Sequence, residues 1–136
     1  MASVLKVDTI TGVTTAGSIS VTGEGNSTTT NLQQGLTKAW LSCENEGTLS
    51  IHGSINISSI SDDATGRIGI TINNNFANND YSISGIAGGN SNSDRNLALG
   101  DDANLTAGGF VVDIKNSSGT AADVPYASST IHGDLA

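Results

Sequence analysis

The stretch from Thr48 to Ile72 constrains this chain most. Leu49, Ile51, Ile55 and Ile57 stand at odd positions, with Ser50, His52, Ser54 and Asn56 between them. After Asp62-Asp63-Ala64-Thr65-Gly66 the alternation resumes, with Ile68, Ile70 and Ile72 interleaving with Arg67, Gly69 and Thr71. Successive side chains of a strand point to opposite faces, so a period of two in β-branched residues marks a half-buried strand. The five-residue polar linker ending in Gly66 has the length of a hairpin loop. The pattern predicts an antiparallel β protein whose sheets each keep one face in water.

The polar positions are filled in an unusual way. Ser, Thr and Asn account for 47 of the 136 residues, and charged residues for only 13%, about half the usual share. Lys, Glu and Arg, which would favour helix on a wet face, are scarce, and short side chains that suit strands, turns and caps replace them. The net charge is −8. The five basic residues, Lys6, Lys38, Arg67, Arg95 and Lys115, are scattered singly, so no basic patch for nucleic acid is expected. The acidic balance serves solubility and names no ligand.

The chain reads as two parts. Residues 1–31 form an N-terminal arm: Val4 to Ile10 as one strand, a Gly/Thr-rich link, a short strand around Ile19-Ser20-Val21, then the polar segment 22–31 as an extended linker. So thin an arm has no core of its own and must pack on something else; Val4, Leu5, Val7 and Ile10 are its anchoring side chains. Residues 32–136 are the globular part. Strands are expected at 39–42, 48–57, 67–72, 81–87, 110–115 and 126–132, with Asn- and Gly-rich turns between them. Their spacing fits a sandwich or small barrel. Gly88 to Gly109 is the longest interruption. Its first half is a surface loop by composition, and Leu97, Leu99 and Leu105 are expected to tuck the rest against the core.

Reactive chemistry is hard to find. Cys43 is the only cysteine, so no internal disulfide exists, and a small buried thiol is the expectation. His52 and His132 stand beside isoleucines with no second ligand at metal spacing, so plain structural or surface histidines are expected. Asp62-Asp63 and Asp101-Asp102 read as turn residues. Asn90, Asn92 and Asp94 alternate like calcium ligands, but no closing Glu follows. Gly85 to Gly89 leads into no phosphate-binding helix, and no serine sits in an elbow motif. Paired carboxylates of the glycosidase kind are compatible with the sequence. Sugar clefts usually carry exposed aromatics, however, whereas Trp40, Phe76, Tyr81, Phe110 and Tyr126 are expected mostly in the core. The expectation is a protein that is not an enzyme and carries no cofactor or metal. The N-terminus has no run of signal-peptide length and no window reaches a membrane span, so synthesis and folding in a cytosol, without membrane insertion, are expected.

Four segments carry a resemblance. Met1 to Ile10 is similar to the opening of many small virion proteins of marine tailed phages, including cyanophages. Leu32 to Trp40 resembles a segment these proteins share, Ile55 to Asp63 with Thr65-Gly66-Arg67 resembles their hairpin, and Ile131 to Ala136 their ending. The hairpin's usual aromatic is Ile55 here, and the long shaft of a full tail fibre is missing. The resemblance implies a homotrimeric, non-enzymatic β-rich appendage: residues 1–31 attach to other virion proteins, and a jelly-roll-like antiparallel β-sandwich of residues 32–136 faces outward. Contact with a host surface glycan is then expected through the loop bearing Asn90, Asn92, Asp94 and Arg95. The short chain leaves a second role open, a trimeric capsid decoration protein.

Overall fold

The alternating segments become strands, but their edges and partners differ from the simplest reading. The computed structural model describes residues 4–12, 19–22, 29–89, 95–100 and 105–136. It divides into two units, Met1–Leu36 and Thr37–Ala136. In the first, β1 (Ser20–Thr22) pairs antiparallel with β2 (Thr29–Asn31), and one helical turn, α1 (Leu32–Gly35), follows. Part of the expected linker 22–31 is thus paired: Thr22 and Thr29–Asn31 lie in the two strands, because main-chain hydrogen bonds need no apolar side chain at those positions. The expected strand from Val4 to Ile10 is not formed, and no residue from 4 to 12 is in a strand.

The second unit is an all-β, sandwich-like fold of two antiparallel four-stranded sheets. Its strands are β3 (Ala39–Glu44), β4 (Ser50–Ile55), β5 (Ile57–Ala64), β6 (Arg67–Ile72), β7 (Ser82–Gly88), β8 (Asn96–Leu99), β9 (Gly109–Lys115) and β10 (Tyr126–His132). The first sheet runs β4-β3-β10-β7 and the second β5-β6-β9-β8. β3 and β10 are therefore central in one sheet, β6 and β9 in the other, and the core forms where these four strands face each other. Ala39, Leu41 and Cys43 from β3 meet Ile68, Ile70 and Ile72 from β6, Phe110, Val112 and Ile114 from β9, and Ala127 and Ile131 from β10. Phe76 stacks on Tyr81 at 4.5 Å between ring centroids, closing one end. Of the aromatics expected inside, Trp40 is only half-buried and Tyr126 is exposed.

The segment 48–57 is not one strand. Asn56 adopts a left-handed backbone, φ 58°, a conformation Asn tolerates better than most residues. There the chain leaves β4 in one sheet and enters β5 in the other. Asn56 holds the corner by accepting from the Asn74 amide at 2.7 Å and donating to the Asn74 carbonyl at 3.0 Å. β5 then continues through Asp62 and Asp63, which are strand rather than loop residues, and the hairpin to β6 turns at Thr65-Gly66. Gly66 has φ 67°, and a Cβ there would press on the Ile114 carbonyl and the Ala122 amide, so only glycine fits. β8 lies inside the expected long loop. Leu97 and Leu105 pack against the core as anticipated, while Leu99 is exposed.

Candidate interaction surfaces

Each sheet has an outer face, and register decides what each one carries. On β6 and β9, Arg67 pairs with Asp113 and Gly69 with Val111; on β8, Ala98 lies opposite Asp113 and Asn96 opposite Lys115. This outer face is charged. Asp113 is only 4% exposed, and such a carboxylate needs compensation. Arg67 grips it through two bonds, Nε to Oδ1 at 2.7 Å and a terminal nitrogen to Oδ2 at 3.1 Å. Lys115 Nζ adds a third at 2.6 Å. The guanidinium hydrogen bond, helped by Lys115, holds the Asp113 carboxyl below its ordinary value against the opposing effect of burial. A cavity of about 220 Å³ opens beside the cluster between Thr65 and Ala121, but its cations already face this carboxylate.

A second polar network ties the two sheets together. Asp123 accepts from the Gly66 amide at 2.7 Å and from Asn45 Nδ2 at 3.0 Å. Asn45, almost fully buried, accepts from the Val124 amide at 2.9 Å. These bonds secure the β5–β6 turn to the end of β3 and have the character of structure rather than chemistry.

The outer face of the first sheet is nearly uncharged. Ile55 pairs with Trp40, Trp40 with Thr130 and Thr130 with Ser84 across its four strands; the next row runs Gly53, Ser42, Ser128, Ile86. Hydroxyls and glycines thus lie between apolar groups, and Ile86 is 64% exposed. Glu44 and His52 stand together at the rim, 3.5 Å apart, and His132 Nε2 meets the Thr37 hydroxyl at 3.2 Å.

The expected anchoring side chains are all exposed, Val7 at 52% and Leu5 at 80% marking the range, with Val4 and Ile10 between. Of the expected receptor-facing loop, Asn90, Asn92 and Asp94 lie outside the described residues, as do Asp101 and Asp102; Arg95 is half-buried at the start of β8. Burial pushes the Cys43 thiol up to about 11, so it stays protonated and unreactive near neutrality. Burial likewise moves the Tyr81 phenol up to about 12, and its hydroxyl donates toward the carbonyls of Thr106 and Gly109. Among the described residues no three His, Cys, Asp or Glu side chains gather as metal ligands, and no helix is long and apolar enough to cross a membrane. Sequence reasoning missed the Arg67–Asp113–Lys115 cluster. The signal was present, since Asp113 interrupts the apolar run Phe110 to Ile114, but its partner Arg67 lies 46 positions away. No family model matches the chain, and no curated protein or solved structure is significantly similar to it.

Proposed function

We propose that this chain is a non-enzymatic structural protein of a bacteriophage virion, a short trimeric tail-fibre-like appendage held to the particle by its N-terminal arm. The observation that carries the reading is the contrast within the chain: a leading segment with exposed Val4, Leu5, Val7 and Ile10 precedes a sandwich with its own closed core. Exposed apolar groups in an extended segment gain by being covered in an assembly, and an extended segment can add to a neighbour's sheet through main-chain hydrogen bonds. The resemblance of four segments to small phage virion proteins points the same way. The passage between sheets at Asn56 supports the jelly-roll-like part of this reading; the in-sheet pairs β3–β4, β5–β6 and β8–β9 occur in other sandwiches too. On this reading the protein is made in the host bacterial cytoplasm and ends in the virion, and the region around Arg95 faces a host surface glycan.

A capsid decoration protein is the second reading, favoured by the same exposed Val4, Leu5, Val7 and Ile10, which could clamp shell subunits as readily as a tail. A reconstruction of the particle separates the two: about a dozen copies at the tail support an appendage, whereas hundreds on the shell support decoration. Deleting residues 2–10 is expected to abolish particle attachment and leave the sandwich folded. Truncated protein that still sediments with particles would remove the anchoring role.

A further inference from the structure

Among the described residues the sandwich has four edge strands, and three are protected against further pairing. β5 carries Asp62 and Asp63 and two register irregularities. β8 is four residues long. β4 carries a bulge, since Ser42 pairs with Gly53 but Cys43 with Ile51, leaving His52 without an opposite residue. Charge, brevity and bulges are the usual ways a sheet edge is blunted. β7 has none of them. It pairs with β10 over seven consecutive residues without a shift, holds no charged residue and no proline, and among the described residues has no strand on its other side.

Beside this edge the sandwich is also incompletely filled. A cavity of about 110 Å³ lies between the sheets there, lined by Ile83, Gly85, Leu97, Ala98, Leu99 and Val112. Gly85 faces Leu97, so a side chain at position 85 would intrude where the cavity narrows. A strand added next to β7 would direct alternate side chains into this space. The same chain holds a segment that fits. Val4 to Ile10 spans seven residues, matches β7 in length and forms no strand. Its Leu5, Val7 and Thr9 fall on one side of an extended chain, with Lys6 and Asp8, flanked by Val4 and Ile10, on the other.

We propose that the β7 edge accepts Val4–Ile10 of a second copy as a fifth strand, with Leu5 and Val7 entering the apolar cleft and Lys6 and Asp8 facing solvent. The inference rests on reading the arm as an assembly element and names its receiver. One seven-residue strand covers less than the roughly 1,200 Å² that stable interfaces bury. An arm-to-edge contact is also heterologous, so it gains by being repeated around a closed ring. A trimer satisfies both conditions.

The test uses the full chain. Light scattering is expected to give a multiple of 13.7 kDa, and Leu5→Asp with Val7→Asp is expected to return the monomer with unchanged circular dichroism. Equal amounts of a Lys6→Cys or Asp8→Cys protein and an Ile86→Cys protein are then mixed and oxidised. Cys43 is buried and does not compete. A disulfide between the two different chains is expected. A monomeric full chain, an oligomer that never cross-links at position 86, or cross-linking only within a chain carrying both cysteines would each overturn the proposal. Particle attachment of the Leu5→Asp, Val7→Asp protein is followed separately: it tests the virion reading, which survives if only the cross-link fails.

Discussion

β6 and β4 carry the same sequence pattern and meet opposite fates. Ile68, Ile70 and Ile72 of β6 are all at most 4% exposed, whereas Ile51 and Ile55 of β4 are 40% and 55% exposed. The difference lies in the number of neighbours. β6 has a strand on both sides and a sheet beneath, so each inward isoleucine is enclosed. β4 has one neighbour, β3, and its bulge at His52 turns Ile51 to the face of buried Cys43 and Ile55 to the face of Trp40. Alternation therefore reports that a segment is a strand; it does not report where the strand stands in the sheet.

Truncation is the strongest way to break this comparison. Ile70→Ala removes side-chain volume from the centre of the core and should cost about 2–5 kcal/mol, with Phe110→Ala at the upper end. Ile55→Ala should cost less than about 1 kcal/mol, since water already reaches most of that side chain. Urea denaturation of the three variants reads the difference directly. Equal losses at positions 55 and 70 would mean that Ile55 is covered in solution, by a second molecule if the loss depends on protein concentration.

A smaller effect is expected where a central strand carries a charge. Asp113 sits on β9, between Arg67 and Lys115, and the two cations are partly exposed. Asp113→Asn removes the charge that both approach, but each can turn to water, so the cost should be about 1–3 kcal/mol rather than that of a fully buried ion pair. The pH dependence has a definite sign. The folded carboxyl titrates below its unfolded value, so its contribution is present above about pH 4 and is lost as pH falls through the folded value. Acid titration of stability should be less steep in Asp113→Asn. An unchanged acid limb would mean that the cluster adds nothing to folding.

The same contrast explains what could be read from the sequence. β6 and β10 were legible to the residue, because central strands pack against both neighbours and sheet; the inward row of β6 is wholly isoleucine, and that of β10 is broken only by Ser129. Cys43 was legible for the same reason. β8 was not, since four residues with two leucines do not stand out from a loop. Nor was the corner at Asn56, where one left-handed residue inside a continuous alternation sends the chain to another sheet. The Asn45–Asp123–Gly66 network joins positions 57 and 78 apart, a separation local patterns do not encode. Of the expected surface residues, Arg95 is half-buried because β8 begins beside it.

The smallest expected effect concerns the one hydroxyl on the inner side of β10. Ser129 lies opposite Leu41 and Gly85, is 4% exposed, and its Oγ has no hydrogen-bond partner among the described residues. The adjoining cavity measures about 10 Å³ and is walled mainly by Leu41, Ile68, Ile70 and Val112. That is at the lower limit for a water molecule, which would also need two or more polar partners. A buried donor left unpaired costs folding free energy, so removing it relieves a penalty instead of breaking a bond. Ser129→Ala is therefore expected to leave stability unchanged or raise it by up to about 1 kcal/mol. Ser128→Ala, on the outward side of the same strand, should fall within about 0.5 kcal/mol of the parent. A clear loss at 129 with none at 128 would mean that the inner hydroxyl is bonded after all, and that the centre of this sandwich tolerates polarity as its edges do.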